Sequence, residues 1–442
     1  MAQIKPFKGL HYRLENPEDL GRFVAPPYDM LDENAIDGLY AKDPFNVVRI
    51  IQNKKEPSDI SNGDRHKRAA VFLTQWVKDG TLIRDESPSV YIYQQQFNAP
   101  GSGGSIGYTR TGAIALVKLV DYEDGIISPH EYTLIGPKID RYDLLRATKS
   151  HSELIFGIVP DEDRRFLSAV SSAKRAACLG KFVDNDGVRH SLYRNDDPSF
   201  FDSLKNALSD RTILIADGHH RYETALKFFR DTKNPNYGHV LMSLVSTADP
   251  GLVIRAFHRM LKKYPGTEAF DMCRMLPAFF DLIDFGPAGL EHINQFLGSS
   301  SAASAAANRE MLYMDARSRH LYGLDLNRAG EKFLAKQRRG MSDLWNRLDV
   351  SKINSIVVNK LLGLPLDGKI LHDVMDYVNN AKDAFEKVLS EAPSYHGVFF
   401  IRPVDIATVN SIVSGKERMP QKSTNFFPKC YSGLVFNTMD FQ

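Results

Sequence analysis

The residues best suited to chemistry stand together at Ile215-Ala-Asp-Gly-His-His-Arg-Tyr-Glu-Thr-Ala225. There a short apolar run, Thr212–Ala216 (TILIA), gives way to Asp217-Gly218. A helical pattern, His219–Phe229, follows, with Tyr222, Ala225, Leu226 and Phe229 on one face. A strand that delivers its end to a helix N-terminus points backbone N–H groups and the positive end of the helix dipole at one spot, which suits a phosphate. Gly218 lets a ligand approach the backbone, Arg221 offers a planar fork, and His219 and His220 add donors whose charge changes near neutral pH. Asp217 either caps the helix or holds a magnesium ion through one carboxylate oxygen. The plainer alternative is a capped helix with a solvated first turn, but a cap needs neither two histidines nor an arginine. The segment therefore predicts a phosphate or nucleotide site.

Two further stretches gather polar groups. Ser128–Arg141 (SPHEYTLIGPKIDR) brings His130, Glu131, Lys138, Asp140 and Arg141 close in sequence and reads as a loop after a strand. Its two readings are substrate or phosphate contact from His130 and Arg141, and ion pairing of Glu131 or Asp140 with Arg141. Gly415–Lys429 (GKERMPQKSTNFFPK) carries Lys416, Arg418, Lys422 and Lys429 against Glu417 alone, a local charge of +3. Ser423 and Thr424, with backbone N–H groups, complete an oxyanion-binding surface there, while Phe426, Phe427 and Pro428 predict packing against the body. Phe257-His258-Arg259 reads as a strand end over a structural histidine. The glycines Gly101, Gly103, Gly104 and Gly107 are not a phosphate loop, because a strand follows them where a helix is required.

These residues need a large scaffold, and the chain supplies one. Its 442 residues predict two to four domains. With 56 Lys and Arg against 54 Asp and Glu, the net charge of +2 gives no field for nucleic acid or an anionic membrane. Cys178, Cys273 and Cys430 are far apart in sequence, which argues against disulfides or a zinc site. No apolar stretch has the length of a signal core or membrane span, so the cytoplasm is the expected compartment. Strands are expected at Ser89–Phe97 and Thr111–Val120, joined as a long hairpin, and at Met311–Met314, His320–Leu326 and Val398–Arg402. Helices are expected at Asp64–Trp76, Arg164–Ala177 and Phe200–Leu208, and Ser299–Ala307 reads as a spacer or frayed helix. The expected class is α+β, with one domain over 1–250 carrying a β-rich insertion and a mainly helical one over 251–442 that returns strands to the body and ends in the basic loop.

The DGHHRYETA stretch resembles the phosphate-binding motif of the ParB/sulfiredoxin-like superfamily, which includes ParB, sulfiredoxin and the archaeal free serine kinase. Across nearly its whole length the chain is similar to the family catalogued as domain of unknown function 1015. The landmarks are Ala25-Pro-Pro-Tyr-Asp29, Ser128-Pro-His-Glu-Tyr-Thr133, Lys138-Ile-Asp-Arg141, Asp217–Arg221, Phe257-His-Arg259, Gly415–Thr424 and Phe427-Pro-Lys429. The resemblance implies a ParB/sulfiredoxin-like fold for the N-terminal domain, with nucleotide phosphates on the Asp217–Arg221 turn. It further implies a kinase-like transfer from ATP, or binding of ADP, with Mg2+ on Asp217 and a small hydroxyl-bearing metabolite as acceptor. Asp29 is the candidate base; its alternative role is to cap a helix starting near Glu33. His130 and His220 are further catalytic candidates, and Arg141, Lys422, Ser423, Thr424 and Lys429 join Asp217, Gly218, His219, His220 and Arg221 around the phosphates. The alternative function is a nucleotide-sensing protein without turnover. Sulfiredoxin chemistry is disfavoured, since His219 stands where that reaction needs a cysteine.

Overall fold

A computed structural model describes residues 1–98, 107–133, 135–173, 176–298, 305–337 and 340–441. The chain divides into two units. One comprises Met1–Pro129, Thr133–Val253 and Pro428–Gln442; the other comprises His130–Tyr132 and Ile254–Phe427.

Among the described residues the first unit is built on a nine-stranded mixed sheet. Its strands are β1 (Ile4–Lys5), β2 (Val90–Asn98), β3 (Gly107–Lys118), β4 (Ile127–Pro129), β5 (Ile155–Val159), β6 (Ala177–Val183), β7 (Arg189–Asn195), β8 (Ile213–Asp217) and β9 (His239–Ser246). They lie in the order β4-β8-β5-β9-β3-β2-β7-β6, with β1 against β3. The pairs β4–β8 and β5–β9 are parallel and the others antiparallel. The predicted hairpin is β2–β3, closing at Asn98 opposite Gly107. Gly101, Gly103 and Gly104 lie outside the described residues, and Gly107 opens a strand.

Ile155, Phe156, Ile158 and Val159 of β5 and Ile213, Leu214 and Ile215 of β8 are all buried, as central strands covered on both faces require. Four helices matter to the site and its support: α1 (Glu33–Lys42), α2 (Asn62–Lys78), α3 (Ile135–Thr148) and, after β5, α4 (Arg165–Ser171). Two more, α5 (Pro198–Leu208) and α6 (His219–Thr232), flank β8. Helix α6 buries Tyr222, Thr224, Ala225, Leu226 and Phe228, so the predicted face is turned slightly and Phe229 is only half-buried.

Of the segment read as a loop over 128–141, Ser128 and Pro129 end β4 and the part from Ile135 onward is α3, with Lys138, Asp140 and Arg141 inside it. Pro137 sits in its first turn, where the missing N–H costs no helical bond. Helix α1 is capped by Asp32, whose carboxylate accepts from Ala35 N at 2.8 Å. The cap thus falls three residues past Asp29, and the capping alternative for Asp29 does not apply.

The second unit carries a sheet among its helices. Among the described residues it has a six-stranded antiparallel sheet of β10 (His258–Lys262), β11 (Phe280–Pro287), β12 (Met311–Asp315), β13 (His320–Leu326), β14 (Met375–Val378) and β15 (Tyr395–Phe400), ordered β11-β13-β12-β15-β10-β14. Helices α7 (Leu290–Leu297) and α8 (Ala381–Ser390) pack on it through Ile293, Phe296, Ala384 and Val388. Within this unit, β11 and β14, which the sequence reading does not contain, are the two edges. Edge strands bury little and tolerate Asp, Gly and Pro, as in FDLIDFGP, which hides their alternation. Most of the spacer at 299–307 lies outside the described residues. No helix among the described residues is long and apolar enough to cross a membrane.

Candidate functional site

In the first unit, β8 ends at Asp217, and Gly218, at φ +89°, is the N-cap through which the chain turns into α6. Asp217 stands one residue before that N-cap. Its carboxylate turns sideways to two cations, accepting from Arg221 Nη2 at 3.0 Å and lying 3.4 Å from Lys429 Nζ. A Cβ at residue 218 would come within 3.0 Å of Arg221 Nε and Nη2. The glycine is thus required twice, by its left-handed backbone and by the guanidinium lying against it.

Arg221 also donates through Nη1 to Leu154 O, while its Nε is buried without a partner. Burial opposes its charge, but Glu153, Asp217 and Asp29 overcome that and hold the guanidinium above its ordinary value. Arg141, from α3, donates to Glu153 Oε2 at 3.2 Å and to Asp140 Oδ2 from Nε at 2.9 Å, and stands 4.1 Å above the centroid of Tyr28. Glu153 accepts in turn from Tyr28 N and from Ser432 Oγ, both at 3.4 Å. The predicted Asp140–Arg141 ion pair is thus present, in company with Glu153.

Asp29 is exposed on the turn Tyr28–Met30, and its charge is felt by both Arg221 and His220. His220 is shifted below its ordinary value, mainly by burial, with Glu223 opposing and Lys138 assisting. Lys138 Nζ and Glu223 Oε2 are 2.5 Å apart, and Thr133 Oγ1 donates to the same oxygen at 2.9 Å. The first unit therefore gathers Asp217, Gly218, His219, His220, Arg221, Arg141, Lys429 and Asp29 into one region. The sequence missed Glu153, which ties Arg141 to Tyr28; nothing in Ser150-His-Ser-Glu-Leu-Ile-Phe156 distinguishes it.

Residues in the second unit make a separate cluster. The Glu131 carboxylate accepts from Ser423 N at 3.1 Å and from Lys422 N and Thr424 N at 3.3 Å each. His130 Nε2 lies 2.7 Å from Thr424 Oγ1, its ring edge-on to Phe426. Lys422 has a φ of +56°, so successive N–H groups form the concavity that binds anions. Lys422, Ser423 and Thr424, expected around the phosphates, turn their N–H groups to the chain's own Glu131. His130 has the same neighbourhood and is buried.

Among the described residues no group of three or more His, Cys, Asp or Glu could hold a metal ion. Asp217 is one carboxylate shared by two cations, so the chain alone builds no magnesium site there.

A family model described as "Protein of unknown function (DUF1015)" matches residues 4–351. No curated protein matches the chain. Among solved structures, free serine kinase in complex with AMP aligns with a TM-score of 0.32 and 10% identity, covering 68% of this chain and 83% of that one. A conserved hypothetical protein from Pyrococcus furiosus aligns with a TM-score of 0.31 and 10% identity, over 69% and 90%. SbnI with C-terminal truncation, from Staphylococcus aureus, aligns with a TM-score of 0.32 and 9% identity, over 72% and 85%. Similarities this distant carry no argument about activity.

Proposed function

The chain belongs to the DUF1015 family, and we propose that it is a nucleotide-dependent phosphotransferase binding phosphates at Asp217–Arg221. The observation that carries this reading is the N-terminus of α6, entered through the left-handed Gly218, with two cations, Arg221 and Lys429, held beside it by Asp217. A helix start directs its dipole and N–H groups at an anion, and the cations neutralise phosphate charge.

Phosphoryl transfer asks little covalent chemistry of a protein beyond positioning and charge neutralisation. In this reading ATP lies with its phosphates on the turn. The hydroxyl oxygen of a small acceptor forms a bond to the terminal phosphorus, the bond to the bridging oxygen breaks, and ADP departs. Asp29 takes the hydroxyl proton. His220, kept mainly neutral by burial, donates a hydrogen bond, and Arg141 holds Glu153 and Tyr28 in place behind the turn.

The test is calorimetric titration with ATP and ADP, together with an assay for phosphate transfer and release. Wild type is expected to bind and turn over. Asp217→Ala combined with Arg221→Ala is expected to abolish binding, and unchanged binding in that variant sinks the proposal. Asp29→Asn is expected to retain binding and lose about 10²- to 10⁴-fold in kcat. Binding without transfer or release would leave the nucleotide-sensing alternative.

A further inference from the structure

Behind the turn, between α3, α6 and strands β5 and β9, lies a cavity of about 50 Å³. Leu144, Leu145, Ile155 and Val240 supply its apolar wall. Its polar wall includes Ser150, His151, Thr224 and Arg221, and each of these has a buried atom with no hydrogen-bond partner: Ser150 Oγ, His151 Nε2, Thr224 Oγ1 and Arg221 Nε. Ser150, His151 and Thr224 are each at most 9% exposed. An unsatisfied buried polar group costs roughly 1–3 kcal/mol, so four around one hollow call for an occupant.

The wall also fixes what the occupant offers. The Asn437 amide nitrogen lies 3.1 Å from His151 Nδ1 and donates to it, which leaves the ring proton on Nε2. Burial lowers the His151 pKa to about 4, so the ring is neutral near pH 7. The two nitrogens, His151 Nε2 and Arg221 Nε, therefore only donate, while the two hydroxyls donate or accept. The charges on the wall are already balanced: Arg141 by Glu153 and Asp140, Arg221 by Asp217. A further net charge has no counter-ion. At ~10–15 Å³ per water-sized position the hollow takes about four non-hydrogen atoms. Separate waters would depend mostly on one another beside apolar walls, whereas one small molecule sets carbon against the leucines and oxygen against the four polar atoms.

We propose that this cavity binds a compact, uncharged hydroxyl compound of about two to three carbons. Its existence as a binding site does not depend on the phosphotransferase reading, although Arg221 is common to cavity and turn.

The experiment is calorimetric titration of the full chain with 1,2-ethanediol and with 1-propanol, with formate and acetate as charged probes and ADP titrated separately. Saturable binding of a neutral probe is expected, weakened about three- to tenfold in Thr224→Val and in Ser150→Ala, as for one lost hydrogen bond, without a matching response to formate or acetate. The proposal is overturned by no saturable binding, by formate or acetate binding in place of the diol, or by crystals soaked in ethanediol that show only water in the hollow. Diol binding without ADP binding removes the phosphotransferase reading and leaves the cavity site. ADP binding without diol binding does the reverse.

Discussion

The turn at Asp217–Arg221 and the loop at Lys422–Thr424 look alike in sequence, each setting hydroxyl or imidazole donors beside a cation in a segment that bends. Their structures part company over who supplies the anion. In the loop, three successive N–H groups converge on Glu131 and are used up within the chain. In the turn, the carboxylate of Asp217 faces side-chain cations, and Arg221 keeps a buried, unpartnered Nε. One cluster holds structure together, and the other retains capacity for a ligand. Residue composition alone does not separate them, because the distinction lies in whether a carboxylate from elsewhere reaches the donors.

The sharpest way to break this comparison is Arg221→Ala. If the turn were merely structural, its loss would resemble any removed surface ion pair. Arg221 is instead mostly buried against Asp217, Glu153 and Leu154 O, so truncation is expected to cost about 3–5 kcal/mol of stability and to remove phosphate affinity. Arg221→Lys retains the charge and loses the fork; it is expected to fold better than the alanine variant while binding ADP well below wild type. Urea denaturation and calorimetry on both variants measure the two effects, and full ADP affinity in Arg221→Lys would remove the fork from the argument.

Acid provides a second lever, and it acts on both units. Burial holds His151 in the first unit, and burial aided by Arg259 holds His258 in the second, at about 4. Between about pH 6.5 and 4 the unfolded chain binds these protons and the folded chain does not, so stability rises with pH across that window and is lost as pH falls through it. Each histidine contributes on the order of 3 kcal/mol at full effect. His258→Asn and His151→Asn are each expected to flatten the pH dependence measured by denaturant titration; if neither does, the two histidines titrate normally in the fold.

How legible was all this beforehand? The strand, glycine and helix of the turn were readable because TILIA is a short apolar run, Asp-Gly marks a turn, and the helix after it repeats apolar residues at helical spacing. The partner of that turn, Glu153, was not, since a lone glutamate in a buried bend between two strands has no periodic or motif signal. Glu131 was named, but its role was invisible: the donors that hold it lie almost three hundred residues away, and pairing at that distance is decided by tertiary packing. The cap of α1 was misplaced for a local reason, because Asp29 and Asp32 are both acceptable caps and only backbone geometry selects between them.

Glu131→Ala tests the other half of the comparison. Removing the carboxylate leaves the N–H groups of Lys422, Ser423 and Thr424 without their acceptor, at a cost of about 2 kcal/mol once water partly replaces it. If the concavity is a true anion cradle, inorganic phosphate is expected to restore part of the lost melting temperature, and sodium chloride at matched ionic strength is expected to restore less. Equal recovery in both salts would mean that the loop recognises only charge screening.

Lys429→Met is the mildest case. Lys429 Nζ stands 3.4 Å from Asp217 and the two side chains are 17% and 21% exposed, so the pair contributes at most about 1 kcal/mol to stability. Its value to a bound phosphate is larger, because a desolvated anion gains more from a nearby ammonium than a carboxylate already paired with Arg221 does. The substitution is therefore expected to leave the melting temperature within a few degrees of wild type and to weaken ADP several-fold, with a shallower dependence of affinity on salt. A variant that loses stability but keeps its ADP affinity and salt slope would make Lys429 a clamp for Asp217, and the turn would then resemble the Glu131 loop.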